Sequence, residues 1–187
     1  MPNYCNNTLT IKSDDTGFLQ SLMNELKMDD SDNPKFLEKL VPFTADINYG
    51  WDYNWCVENW GTKWDIFDVT YASLDGDTLE VSFATAWSPP IEALVTGMLK
   101  HGYTFDLYYE EGGCCFIGHT EGDGESHFDQ CWETYTDADP STYIPDHVLD
   151  AFPWVESDWR DWQREQAEEE EAEAAAEHHA EMLNEGA

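Results

Sequence analysis

The centre of the chain reads FDVTYASLDGDTLEVSFATA, Phe67–Ala86. Phe67, Val69 and Tyr71 alternate with polar residues before Asp75-Gly76-Asp77, and Leu79, Val81 and Phe83 do the same after it. A period of two marks a strand with one buried face. Asp-Gly between two such runs marks a hairpin, because glycine takes the positive φ that a tight hairpin turn requires.

Working outward, Leu9 and Ile11 alternate with Thr8 and Thr10 and predict a first strand. Phe18, Leu19, Leu22, Met23 and Leu26 recur at helical spacing behind the capping oxygens of Asp14, Asp15 and Thr16. A short helix is predicted at NPKFLEKLV, with Asn33 as cap and Pro34 in the first helical position, followed by an irregular Trp-rich insertion from about Pro42 to Asp65. Beyond the hairpin, SPPIEALVTGMLKHG offers Ser88 as N-cap, an apolar stripe of Ile91, Leu94, Val95, Met98 and Leu99, and Gly102 as the stop. Tyr103, Phe105, Leu107 and Tyr109 predict a fourth strand. The order β-α-β-β-α-β is the ferredoxin-like split βαβ arrangement, an α+β fold whose antiparallel sheet carries its helices on one face.

An extra β-hairpin is predicted in CCFIGH-TEGDGES-HFDQCWETY from Cys114, and then a Pro- and Asp-containing connection. In the C-terminal run Val155, Trp159 and Trp162 form a helical stripe, and REQAEEEEAEAAAEHHAEML continues as an acidic helix with little to bury. The expected organisation is a ferredoxin-like domain over 1–136, a connecting segment over 137–153 and an acidic helical tail over 154–187.

Eight Lys and Arg face forty Asp and Glu, a formal net charge of −32. Residues 156–187 hold twelve of the acids and two of the bases, so the body keeps twenty-eight against six, a net charge of about −22. Direct binding of DNA or RNA needs cations that displace counterions from phosphate, and this composition argues against it and against anionic membranes. By parity the open sheet face carries Asn6, Thr8, Thr10, Asp68, Thr70, Glu80, Ser82, Asp106, Tyr108 and Glu110. An RNA-binding sheet of this topology displays stacking aromatics and cations instead. Five cysteines and an N-terminal MPNYCNN, without a basic then apolar leader, predict a reducing, cytoplasmic setting with free thiols.

Cys115, His119, His127 and Cys131 resemble a zinc set. In a symmetric hairpin, however, 119 faces 127, 117 faces 129 and 115 faces 131, and four residues along a strand span about 13 Å. Zinc ligands lie within roughly 4 Å of one another, so the site closes only if 127–131 form a helical turn. The oxygen-rich turns at Asp75–Asp77 and Glu121–Glu125 lack EF-hand spacing. His178 and His179 read as solvated tail residues. No phosphate loop, nucleophile elbow or HExxH is present. No metal, cofactor or catalytic residue is expected.

In WCVENWGTKWD, Trp55–Asp65, the rare cation Lys63 sits among tryptophans. Its stem can lie on Trp60 or Trp64 with the ammonium near Glu58 or Asp65, pinning the insertion; the alternative is an aromatic recognition edge beside the acidic sheet.

That stretch, NYCNNTLTI at Asn3–Ile11 and FATAWSPP at Phe83–Pro90 together resemble the YubB-type ferredoxin-like domain of phage and conjugative-plasmid proteins. The resemblance covers roughly residues 1–120. It implies the same fold, a mobile-element origin and an intracellular setting, and carries no catalytic residues.

The expected function is that of a non-enzymatic acidic interaction protein. It inhibits a basic nucleic-acid-binding host protein, such as a defence nuclease, by DNA mimicry. Twelve acids along a helical tail fall about 4 Å apart, near the 3.4 Å of one DNA strand. The candidate contact residues are Asp68, Glu80, Asp106, Glu110 and Glu111 on the sheet, Glu121, Asp123 and Glu125 on the hairpin, and Glu168 and Glu171 on the tail. The alternatives are an interaction or assembly module for another partner, a metal-binding protein, or an enzyme.

Overall fold

A computed structural model describes residues 3–26, 34–44 and 51–185, with side chains described to residue 176. The elements run β1 (Tyr4–Lys12), α1 (Thr16–Leu26), α2 (Phe36–Leu40), α3 (Tyr53–Trp60), β2 (Phe67–Asp75), β3 (Thr78–Ala86), α4 (Ile91–His101), β4 (Thr104–Glu111), β5 (Phe116–Gly122) and β6 (His127–Glu133). A 3-10 turn (Pro140–Thr142), α5 (Asp146–Ala151) and α6 (Val155–Glu185) follow. Two compact units divide the chain, 1–132 and 133–187.

In the first unit the six strands lie in the order β2-β3-β1-β4-β5-β6. β1 is central and pairs antiparallel with β3 and β4. The first four strands give the split βαβ order, and the extra hairpin widens the sheet at the β4 side. The core lies between one sheet face and the helices: Leu9 and Ile11 from β1, Val81 and Phe83 from β3 and Leu107 from β4 meet Leu22, Leu40, Trp60 and Leu94. Asp15 accepts from the Phe18 N–H at 2.9 Å and starts α1. Asn33 lies outside the described residues.

Four readings of the sequence are corrected. The insertion is not wholly irregular, because α3 forms within it, capped by Asp52 accepting from the Trp55 N–H at 2.9 Å and closed by Gly61 at φ 81°. α4 starts at Ile91 rather than behind Ser88, whose hydroxyl donates to the Gly61 carbonyl at 2.5 Å; Leu99 of its stripe is 61% exposed. A bulge between Phe67 and Tyr71, with Asp68 at φ 49°, breaks the alternation of β2. Val69, Ala72 and Leu74 therefore pack on the core, while Tyr71 pairs with Ser82 on the open face. Finally, the β5–β6 turn closes through the Asp123 N–H to the Ser126 carbonyl, and Thr120 donates to Asp129 at 2.6 Å. That register sets Thr120, not Ile117, opposite Asp129.

Gly118 and Gly122 leave room for the Tyr109 and Phe105 rings of β4 to lie over β5. A Cβ at Gly118 falls inside the Tyr109 ring, and one at Gly122 meets Phe105 and the Met98 sulfur.

In the second unit Val155 is buried. The Trp159 indole donates to the Thr136 carbonyl at 2.8 Å, and Trp162 lies 5.9 Å from Tyr135. The predicted stripe thus anchors the start of α6 on the residues that open this unit. From Arg164 to Ala176 the helix is exposed.

Candidate functional site

Strand register sorts the open face into rows. Ser73, Glu80, Thr10, Asp106 and Glu121 lie in one row across five strands. Tyr71, Ser82, Thr8, Tyr108 and His119 form the next, and Ala84, Asn6, Glu110 and Ile117 the one beyond, with His119, Ala84 and Ile117 buried, so that these two rows are only partly exposed. At about 4.8 Å per strand, Glu80 and Asp106 stand roughly 10 Å apart across Thr10. Asp106 and Glu121 are directly opposed at about 5 Å, a like-charge pairing that disfavours the folded sheet. In water that repulsion amounts to about 0.8 kcal/mol.

The acids of this face take donors that are not Lys or Arg. Asn6 donates to Glu110 at 3.1 Å, Tyr71 to Glu80 at 3.4 Å, and the His119 imidazole stands 2.5 Å from Asp106 while stacking on Tyr108. Among the described residues the Lys and Arg ion pairs are Lys35–Glu38, Lys39–Glu25, Arg160–Glu156 and Arg164–Asp161. None of the ten candidate acids takes part in them.

One end of the face deepens into a cleft of about 530 Å³ lined by Lys12, Asp106, Glu121, Asp123, His127 and Phe128, among others. Asp123 accepts from the backbone of Ser126 and Glu125 and from the Ser126 hydroxyl. These bonds, led by the Ser126 amide, hold its carboxyl below the usual range. Glu125 is exposed at the same turn, Asp68 is exposed at the bulge, and Glu168 and Glu171 are exposed on α6 in the second unit.

Glu111 is the candidate that the structure removes from the surface. It is 2% exposed, on the opposite sheet face from Glu110, and accepts from the backbone N–H groups of Gly113 and Cys114. Burial works to raise its pKa, but the bonds from Cys114, Gly113 and Asn3 together hold it low. Its carboxylate shapes the β4–β5 turn and cannot meet a partner.

The Trp-rich segment carries a second feature. Lys63 Nζ lies 4.8 Å from the ring centroids of both Trp64 and Trp87. Trp60, the other ring that the sequence offers to Lys63, is buried instead and donates to the Val41 carbonyl at 2.9 Å. Asp65 does not pair with Lys63 either. Its carboxylate accepts from the N–H groups of Leu37, Glu38 and Ile66 at 2.8, 3.0 and 2.8 Å, capping α2 from a distant stretch of the chain. Burial outweighs those three bonds and pushes its pKa up to about 6.

Around Lys63 the aromatic contacts continue outward, Trp87 to Tyr53 at 5.9 Å and Tyr53 to Trp51 at 6.4 Å, with the Trp51 indole donating to the Lys63 carbonyl. Trp51, Tyr53 and Trp87 are 45%, 41% and 40% exposed. Sequence parity could not find this surface, because Trp87 joins it from the far end of β3.

Among the described residues no group of three or more His, Cys, Asp and Glu is placed to hold a metal ion, and no helix is long and apolar enough to cross a membrane. The cysteines are not disulfide-bonded.

A family model for the ferredoxin-like domain in Api92-like protein matches residues 50–145. The chain belongs to that family. The match runs from the Trp-rich segment through the extra hairpin and past it to the 3-10 turn, so the aromatic surface and the hairpin both lie within the family domain. β1 and α1 precede the matched span and complete the split βαβ unit. No curated protein and no solved structure matches the chain.

Proposed function

We propose that the protein is a non-enzymatic interaction protein that presents its open sheet face to a basic nucleic-acid-binding protein, standing in for DNA. The observation behind this reading is the row Glu80, Asp106 and Glu121, with Glu110 one row on, unpaired with Lys or Arg among the described residues. A sheet that opposes two carboxylates directly gives up stability, and a cationic partner recovers it. Solubility needs a net charge of roughly 2 to 8 for a small domain, far less than this chain carries. The mobile-element setting implied by the YubB-type resemblance suits an inhibitor of a host defence enzyme.

The test is affinity capture of basic DNA-binding proteins from host lysate, comparing the wild type with the quadruple variant Glu80→Gln, Asp106→Asn, Glu110→Gln, Glu121→Gln. Wild-type capture at about 50 mM salt should be reversed by duplex DNA and lost at about 1 M salt, where the Debye length falls to about 3 Å. The variant should lose roughly tenfold to a hundredfold in affinity. Complexes that survive high salt, or that form equally well with the variant, refute the reading.

A further inference from the structure

The Trp64–Trp87 clamp already holds a cation. Two indole faces converge on one ammonium at 4.8 Å each, inside the distance at which a ring quadrupole attracts a positive charge. Among the described residues no carboxylate lies within ion-pair distance of that ammonium. Trp87 has a left-handed backbone, φ 73°, an outlier for so bulky a residue, held by its N–H bond to the Asn3 carbonyl at 3.0 Å. Conformations of that kind are costly for a non-glycine residue and gather at ligand clamps. Here the conformation displays a large indole outward, continuous with exposed Tyr53 and Trp51. Exposed Glu58 and Asp68 flank it in sequence on the elements that carry the neighbouring rings.

From this geometry we infer that the clamp is a cation-receiving site that takes an arginine side chain of the basic partner, with Lys63 as its resident occupant. The inference rests on the proposed function and adds the anchor that acidic rows alone lack. Rows of carboxylates attract any cation, whereas a guanidinium is planar and weakly hydrated and stacks on indole better than an ammonium does. An arginine therefore displaces Lys63, and the lysine side chain swings out on its flexible stem. Tryptophan and tyrosine around a desolvated arginine are the usual composition of an interface centre, with the carboxylates as its rim.

The test titrates the full chain with oligoarginine and oligolysine peptides of equal length, read by tryptophan fluorescence. The wild type should bind oligoarginine more tightly. Lys63→Ala, which vacates the clamp, should strengthen oligoarginine binding about fivefold and oligolysine binding less. Trp87→Leu should bring the two peptides to the same Kd. An unchanged or weaker oligoarginine affinity in a folded Lys63→Ala chain overturns the inference, as does an arginine preference that survives Trp87→Leu. If Lys63→Ala melts below the assay temperature, Lys63→Arg replaces it: a resident guanidinium competes harder and weakens peptide binding, and unchanged binding overturns the inference. Equal, salt-sensitive binding of both peptides by every variant removes the clamp and leaves the acidic-face reading standing. Absence of binding by either peptide at low salt removes both.

Discussion

Replacing Asp65 by asparagine sets two opposing forces on one carboxylate against each other. Three backbone N–H groups, from Leu37, Glu38 and Ile66, favour the charged form, while burial disfavours it and prevails, raising the pKa from 3.8 to about 6. The folded-state value thus lies above the unfolded one, about 3.9. Folding favours the protonated acid, so the stabilisation is fully present below about pH 4 and is lost as the pH rises through 6. A shift of about two units corresponds to about 3 kcal/mol. The amide of the Asp65→Asn variant carries no such titration. The stability of the wild type minus that of Asp65→Asn should therefore fall by about 3 kcal/mol between about pH 3 and pH 7, measured by urea unfolding at each pH. The other carboxylates titrate in both chains and largely cancel in the difference. A difference that stays flat, or that grows with pH, would show that the three N–H bonds outweigh desolvation and that the cap is held as an anion.

Glu111→Gln should act with the opposite sign. The wild-type carboxyl is held low by its turn bonds, so its contribution is present above the unfolded pKa and lost as the pH falls through the folded one; the variant should lose stability at pH 7 and little at pH 3, by the same unfolding assay. Gly118→Ala forces a methyl into the Tyr109 ring and should cost about 1–3 kcal/mol, read as a lowered Tm, with Tyr109→Leu restoring part of it. Ending the chain at Gln166 removes eight of the forty acids and no described side chain that is buried, so the free energy of unfolding, read by urea titration, should change by less than about 0.5 kcal/mol.

The fold was legible where a local pattern and a turn signal agreed. Gly76 between alternating runs located the β2–β3 hairpin, and Gly102, at φ 68°, closed α4 as its position predicted. Parity placed Glu80, Asp106 and Glu110 on the open face because β3 and β4 are regular. It failed on β2, where the bulge at Asp68 moves Tyr71 to that face, because alternation no longer reports the face once a bulge is passed within a strand. Glu111 was offered as a contact residue although the same alternation sets it with Tyr109 on the buried face; the Gly112-Gly113-Cys114 turn that folds onto its carboxylate is a tertiary event. α3 announced itself through Asp52 three residues before Trp55 and Gly61 after Trp60, a cap pair hidden by the density of tryptophans. The clamp needed residues from two separated stretches, and no single-window pattern reports such a meeting.

The kink at Asp68 also governs which neighbours the sheet can accept. β2 is an outer strand, and a flat outer strand offers unpaired amides and carbonyls as a template for a foreign chain. With its first half turned aside by a left-handed residue and an acid placed there, β2 has a short straight run left to copy. The sheet is thereby kept from fibril-like stacking at its β2 edge, and contact there is steered to side chains rather than to the main chain.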